Sequence, residues 1–312
     1  MRAQNTLTIK TIAVITAYFL VIFYFFSTIV ANYFFIYPSL PKIHEHYDEY
    51  LAVFNTSTRI LMTYSSVALF FTSVLLLWFR PTSFPRSAIW MSIVLASIST
   101  IATLFFIMPL QLSLWISGYN EALFQKLMHI SKYFQIIPSF LQILIGFWLL
   151  NRYLSHIKFM SRWVFILFFA LTLFNTNYDS TVAFQLYTTV GSADWTAFRN
   201  AILPPLFFIF LILAFTPMLL TIPMFWLRPK SIPKYFVGIY GLTILWIFFI
   251  SAIYIATKLQ GFLEHNYSRL KIEELVNADL MYRGLPAMIL TFITVYMFVK
   301  VGQDKINIQN LA

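Results

Sequence analysis

Residues 77–86 read LWFRPTSFPR, and residues 225–234 read FWLRPKSIPK. The two stretches align without a gap at an offset of 148 residues and share a tryptophan, an arginine, a serine and two prolines. Each follows a long apolar run. Tryptophan favours the membrane interface, arginine favours water and proline ends a helix, so each motif predicts the point where a helix leaves a membrane.

The composition requires a membrane. Of the 312 residues, 60% are hydrophobic, 20% are aromatic and only 10% are charged, whereas a soluble globular domain has about 25% charged residues. We therefore expect an integral membrane protein. The chain contains no cysteine, which excludes disulfides, thiolate metal sites and cysteine nucleophiles.

Eight apolar runs have the length of about 20 residues that crosses a bilayer as a helix. The first is too long for a signal peptide and lacks a cleavage site, so it is predicted to be a retained span. Pro138 and Pro286 stand near the starts of two short runs, where the helix is expected to begin earlier and to bend. The predicted spans are residues 11–37, 58–79, 87–109, 133–150, 163–187, 201–227, 235–257 and 284–300.

The positive charge is concentrated on one side of these spans. Twelve of the 21 Lys and Arg residues lie on the side of both termini, where Asp304 is the only acid. Such asymmetry in short loops is the positive-inside signature, so both termini are predicted to be cytoplasmic, with a bacterial inner membrane as the expected location. The basic balance is then a signal of orientation, and nucleic acid is not an expected partner. The basic residues on this side are Arg2, Lys10, Arg80, Arg86, Arg152, Lys158, Arg162, Arg228, Lys230, Lys234, Lys300 and Lys305.

The offset of 148 residues recurs far from the opening motif. Tyr119 aligns with Tyr267, Leu127 with Leu275, Pro138 with Pro286 and Ile145 with Ile293. Chance recurrence of Trp-x-Arg-Pro at two span ends is the alternative, but separate landmarks at one offset favour a duplication. The prediction is an all-α protein with two parallel four-helix repeats, residues 1–150 and 163–301, joined by a basic linker, 151–162, and followed by a tail, 302–312.

Polar residues are dense in the fifth predicted span, where residues 175–185 read NTNYDSTVAFQ. Asn175 and Asp179 share a helix face, and Asp179 lies about 25 Å beyond Arg162 at 1.5 Å per residue. The first half has Ser27 and Ala31 at the corresponding positions, so this polarity is one-sided. If a site exists here, Asp179 is its base or counter-ion, and the arginines are anion or oxyanion anchors. The basic partners at a similar level are Arg59, Arg199, Lys258 and Arg283. The alternative is an Asp179 side chain at the outer water boundary.

His44 and His46 lie in the acidic outer loop PKIHEHYDEY, residues 41–50. Alternate histidines can hold a metal ion, but no second group of ligands follows at a diagnostic spacing, so a solvated acidic loop is favoured and no metal or cofactor is predicted. Residues 118–134 and 266–283 carry apolar residues at helical spacing. They are predicted to be amphipathic helices over the outer end of each repeat.

Four stretches carry a resemblance to a known family: YPSLPKI (37–43), EYLAVFNTSTRI (49–60), PLQLSLWISGYNEALFQKLMHISKYF (109–134) and AFRNAILPPLFF (197–208). They resemble the anthrone-oxygenase-like family of small four-helix membrane proteins, and each half of the chain is similar to one such unit. The resemblance implies a lipophilic substrate and, as in a few fungal members, oxygenation of anthrones without a cofactor.

Three functions remain open. The first is an enzyme or binder of a lipophilic small molecule, with its pocket in the outer half of the membrane between the repeats. The second is a structural or assembly subunit of a larger membrane complex. The third and weakest is a transporter, because only eight glycines occur in the chain and helices broken in both halves are not evident. Expected partners are membrane lipids, a lipophilic small molecule, and other membrane proteins or a second copy of the chain.

Overall fold

The computed structural model describes residues 8–175 and 183–311; at positions 57–59, 175, 183–184, 203–214, 265 and 309–311 it describes the backbone only. All regular secondary structure in these ranges is helical. Six helices are long and apolar enough to cross a membrane, so the chain is a helical membrane protein, as the composition predicts. In chain order the helices are α1 (Ile9–Lys42), α2 (Tyr47–Phe79), α3 (Arg86–Ser117), α4 (Glu121–Tyr153), α5 (Phe159–Asn175), α6 (Ala183–Tyr187), α7 (Trp195–Leu227), α8 (Lys234–Glu264) and α9 (Arg269–Ile308).

Two of the eight predicted spans fall on helices whose described apolar parts are shorter. These parts are Phe159–Phe174 in α5 and Phe215–Leu227 in α7. The predicted fifth span runs on to residue 187 and so crosses residues 176–182, which lie outside the described residues. The structure therefore supports six spans by length and composition.

The long helices exceed the spans that hydropathy predicts. α1 has 34 residues and α2 has 33, which gives each a length of about 50 Å at 1.5 Å per residue, against a hydrocarbon layer about 30 Å thick. The segments expected to be separate amphipathic helices are helical but do not stand alone. Glu121–Ser131 and Arg269–Asp279 each continue into the long helix that follows, as the N-terminal turns of α4 and α9.

Five π-helical stretches lie in the described residues; Ile250–Gln260 in α8 has no nearby proline, and the other four occur at one recurring sequence position. Each of these four ends two residues before a proline, and in each the first residue after the stretch bonds back five residues, as Ile137 does to the Lys132 carbonyl. Proline lacks an N–H and its ring collides with the carbonyl four residues earlier. A wider π turn avoids that collision, so Pro38, Pro109, Pro138 and Pro286 explain where the helices widen. The stretches are Asn32–Ile36, Thr103–Ile107, Lys132–Ile136 and Leu280–Gly284.

The two Trp-x-Arg-Pro motifs form the same turn. α2 ends at Phe79 and α7 at Leu227, as the motifs predict. Arg80 Nη1 donates to the Phe84 carbonyl oxygen at 2.8 Å, and Arg228 Nε donates to the Ile232 carbonyl oxygen, also at 2.8 Å. A proline, Pro85 or Pro233, then caps the next helix. Both motifs thus act as helix terminators in the structure.

The core forms two clusters along the helices. One surrounds α1 near the ends that carry the two turns and includes Phe19, Phe169 and Phe298, with the last two rings stacked at 4.7 Å. The second lies toward the other end and includes Tyr50 and Phe198, whose rings are 6.0 Å apart. α1 contacts α2, α4, α5 and α9. The first helix is therefore central, and it joins the two predicted repeats.

Candidate functional site

An apolar cavity of about 200 Å³ lies between α1, α4 and α5. Two predicted repeats line it, since α1 and α4 belong to the first and α5 to the second. Ser27 Oγ on α1 donates to the Phe174 carbonyl oxygen of α5 at 2.9 Å, which fixes the two helices beside the cavity. The lining residues are Phe23, Phe26, Ile143, Phe147, Ala170, Leu171 and Phe174.

The predicted polar site begins where the described wall of this cavity ends. Asn175 follows Phe174 and is the last described residue of α5, with only its backbone described. Asp179 lies outside the described residues, and Arg59 is placed on α2 by its backbone alone. The backbone of Asn175, where the predicted polar run starts, therefore lies beside the cavity. The side-chain positions of Asn175, Asp179 and Arg59 stay a prediction.

Arg283 forms a buried ion pair with Asp279. Nη1 of Arg283 lies 2.9 Å from Oδ1 of Asp279, and the two side chains are 5% and 1% exposed. The residues are four apart along α9, which places them on one helix face, and the π stretch Leu280–Gly284 runs between them. Buried charges in a membrane protein are costly and usually mark a function. Arg283, an expected anion anchor, thus carries a counter-ion of its own that the sequence analysis missed.

The positions 148 residues earlier hold a neutral version of this pair. Ser131 Oγ donates to Gln135 Oε1 at 2.9 Å, and Gln135 Nε2 donates to Thr103 Oγ1 of α3 at 2.8 Å. All three side chains are fully or almost fully buried. Interhelical hydrogen bonds of this kind hold membrane helices together. The Ser131–Gln135 pair therefore links α4 to α3. At the corresponding positions of the second predicted repeat, Asp279 and Arg283 carry charges that the first predicted repeat does not have.

Asn55 is a buried amide with an unusual environment. Its side chain is 4% exposed, and neither its oxygen nor its nitrogen has a hydrogen-bond partner in the described part of the chain. A buried amide without partners is costly, and such groups call for a specific explanation. Asn55 lies one turn before Arg59 on α2. Asn55 is therefore a further buried polar residue on α2, close to Arg59.

The acidic loop of residues 41–46 is fixed by a residue that the sequence analysis missed. Backbone N–H groups of His44 and Glu45 donate to Oδ2 of Asp194, at 2.5 and 2.6 Å. The His44 and His46 side chains are exposed, and His46 Nδ1 lies 3.8 Å from Glu49. Within residues 8–175 and 183–311, no described group of three His, Cys, Asp or Glu side chains could hold a metal ion. The loop is thus held through its backbone.

At the opposite end, His156 lies in the linker between α4 and α5. Part of its side chain is exposed to solvent, yet partial desolvation by its neighbours lowers the pKa of the imidazole from the usual 6.5. The positive charge of Lys305 lowers the pKa further, against a backbone hydrogen bond at Tyr153 and the charge of Asp304. Lys305 Nζ itself donates to the Tyr153 carbonyl oxygen at 2.6 Å. These contacts dock the end of α9 onto the linker.

The sequence does contain a signal for the Asp279–Arg283 pair. The two residues are four apart, which is the spacing of a helical ion pair, and they replace Ser131 and Gln135 at the 148-residue offset. No local signal in the sequence identifies Asp194 or the isolation of Asn55, since both depend on contacts far along the chain. Comparison with protein-family models, with curated proteins and with solved structures finds no match to this chain.

Proposed function

We propose that this chain binds a lipophilic small molecule between two four-helix repeats, in the half of the membrane far from the termini, and that it acts on that molecule as an oxygenase-like enzyme. The observation that carries the proposal is the apolar cavity between α1, α4 and α5. A ligand pocket in a helical membrane protein is expected between packed helices, with apolar walls and a few polar groups. This cavity has apolar walls from both repeats.

The polar end of the proposed pocket is the start of the NTNYDS run. Phe174, the last cavity residue on α5, lies about 18 Å beyond Arg162 along the helix, which corresponds to the outer half of a 30 Å layer. Asn175 follows it directly, and Asp179 is one turn further. In this proposal Asp179 is the base or counter-ion, and Asn175 and Arg59 bind the polar part of the ligand.

The proposal includes the duplicated architecture and the orientation. Helix bounds support the repeat, because α2 and α7 both have 33 residues and start 148 residues apart, as do the stretches Glu121–Ser131 and Arg269–Asp279. The shared turns at Arg80 and Arg228 add to this support. With the basic residues at the end that carries these turns, both termini face the cytoplasm.

Orientation is tested by single cysteines, because the natural chain has none. Ser117→Cys and Ser155→Cys are exposed positions in the outer and inner connections. A membrane-impermeant maleimide added to intact cells should label Ser117→Cys and leave Ser155→Cys unlabelled until the membrane is opened. The reverse pattern would invert the topology.

Binding is tested by filling the cavity. Ala170 lines it, and the residue 148 positions earlier is Ile22, so Ala170→Ile uses a side chain that the other half already packs. Full-length protein in mild detergent is incubated with anthrone, and bound anthrone, oxygen uptake and products are measured. Ala170→Ile should lose most binding, while Ala256→Ile, at an exposed position of α8, should retain it.

Asp179→Ala separates binding from chemistry. The protein should still fold, and product formation should fall to background. If anthrone and related polycyclic phenols neither bind nor react in the wild-type protein, and a membrane protein co-purifies in fixed stoichiometry, the chain is a structural subunit instead. Unchanged turnover in Asp179→Ala would remove Asp179 from the mechanism.

A further inference from the structure

A second surface with both charge and apolar depth lies at the basic end of the molecule, away from the proposed pocket. A crevice of about 390 Å³ is bounded by the linker before α5, the turn after α7 and the last turns of α9. Lys158, Arg228 and Lys230 line it, against a single acid, Asp304. The two lysine side chains are exposed. The crevice therefore carries net positive charge.

An apolar groove of about 540 Å³ lies between α7 and α8. Its floor is open at Gly238, where an added Cβ atom would meet no atom within 4 Å. Gly241 instead lets α7 and α8 approach closely, because a Cβ atom added there would lie 3.0 Å from Cγ2 of Thr221. Opposite the glycines, the groove is walled by Ile222 and Phe225 of α7. Trp226 lines both the groove and the crevice, so the two cavities share one wall.

The other half of the chain keeps Lys10 and Arg80 at the positions of Lys158 and Arg228, but it differs at the two glycines and at Lys230. Trp90 and Ile93 stand 148 residues before Gly238 and Gly241, and Thr82 stands 148 residues before Lys230. Large side chains thus occupy the positions where α8 has glycine, and a neutral residue occupies the position of a lysine. Glycine in a helix interior is destabilising relative to alanine. Close helix packing at Thr221 explains Gly241, and the open groove supplies a reason for Gly238.

We propose that the crevice and the groove form one binding site for a phospholipid with a net negative headgroup. Lys158 and Lys230 contact the phosphate, an acyl chain lies in the groove over Gly238, and Trp226 packs at the boundary between headgroup and chain. Basic pockets beside the cytoplasmic ends of membrane helices bind anionic headgroups, and tryptophan favours this depth. A zwitterionic lipid would place its ammonium group among these cations.

The test titrates full-length protein in neutral detergent with phosphatidylglycerol and counts bound lipid by native mass spectrometry. The double variant Lys158→Gln/Lys230→Gln should weaken binding about tenfold or more, since each basic residue near an anionic lipid surface contributes about fivefold. Gly238→Leu should fill the groove and abolish binding of the acyl chain. A Cβ atom added at Gly238 meets no other atom within 4 Å, so the protein should still fold. The control Lys10→Gln/Arg86→Gln removes the same charge from the first half, at exposed positions on the same end, and should bind as the wild type does.

Each remaining outcome overturns the proposal. Equal binding of phosphatidylcholine, or equal loss in the control, would indicate nonspecific lipid around the protein. Competition by inorganic phosphate at millimolar concentration with no effect of Gly238→Leu would indicate a free-anion site. A dimer that Gly238→Leu disrupts, with lipid binding unchanged, would make the groove a contact with a second copy. Thermal unfolding of every variant shows that it is folded.

Discussion

The Asp194 carboxylate holds the backbone of Glu45 at the end of the molecule opposite the two Trp-x-Arg-Pro turns. Oδ2 of Asp194 accepts the backbone N–H of Glu45 at 2.6 Å, and Oε2 of Glu45 accepts the backbone N–H of Ala193 at 3.1 Å. Gly191 allows this approach, because a Cβ atom added there would lie 2.7 Å from the Cβ of Glu45. The loop before α2 is thus joined to the turn before α7, and these two connections belong to different predicted repeats.

Replacing Asp194 with alanine should destabilise the protein by about 1.5–3 kcal/mol, the range for hydrogen bonds to a charged group. The carboxylate is almost fully buried, and its loss leaves the N–H groups of His44 and Glu45 unpaired. Equilibrium unfolding in detergent and SDS measures the change. His44→Ala is the matched control, because it removes an exposed side chain and keeps the backbone N–H; it should change stability by less than about 0.5 kcal/mol. Equal changes in stability for the two variants would contradict a stabilising role for the hydrogen bonds to Asp194.

Arg283→Gln should cost about 3–5 kcal/mol, because it leaves the Asp279 carboxylate buried without its counter-ion. The double variant Asp279→Ser/Arg283→Gln installs the neutral pair that the chain uses at Ser131 and Gln135. It should recover most of the lost stability. A double-mutant cycle on the unfolding free energies gives the coupling energy between the two residues. Additive effects of the single changes would contradict a direct ion pair.

Asn55→Leu should stabilise the protein by about 1–3 kcal/mol, because an amide that is buried without a partner among the described residues is replaced by an apolar side chain of similar size. Leu203 already stands 148 residues later. Unfolding in detergent measures the gain, and anthrone binding is measured on the same sample. If Asn55 bonds the ligand, stability rises while affinity falls. A loss of stability would show that the amide has a structural partner, which ordered water could supply.

Protonation of His156 should weaken the docking of α9 on the linker. Its pKa is lowered in the folded state, first by partial desolvation and then by the charge of Lys305, so the folded protein binds this proton less readily than the unfolded chain does. Stability from this site is therefore full above about pH 6.5 and falls as the pH drops through the folded pKa. Unfolding temperatures between pH 7.5 and 5 measure the effect, and His156→Gln should flatten this part of the profile. An unchanged profile in His156→Gln would assign the pH dependence to other groups.

Some features could be predicted from local sequence because their causes are local. The apolar composition decides that the helices lie in a membrane, and Trp78 with Arg80 and Pro81 ends α2 where the motif predicts. Pro138 marks the π stretch before it, since a missing N–H acts within one turn. Helix length was underestimated, because hydropathy measures the part inside lipid and α1 continues beyond it.

The candidate site could be predicted only in part. The NTNYDS run stands out because polarity inside an apolar span is visible in the sequence, and the structure places its first residue beside the cavity at Phe174. The cavity itself depends on how Phe23, Ile143 and Ala170 face one another, which no local pattern encodes. The charge of Arg283 is visible in the sequence. Its pairing with Asp279 depends on the burial of one face of α9, which only the packed helices show.

The membrane environment, the ends of α2 and α7 at the two Trp-x-Arg-Pro motifs, the proline positions and the excess of Lys and Arg can be read from the sequence. These follow from transfer free energies and backbone geometry, which act residue by residue. The packed fold is needed to see that Asp194 holds Glu45, that Asn55 is buried without a partner in the described chain, and that Gly238 opens a groove near Lys158 and Lys230. Such relationships join residues far apart in the chain, and they exist only once helices have packed.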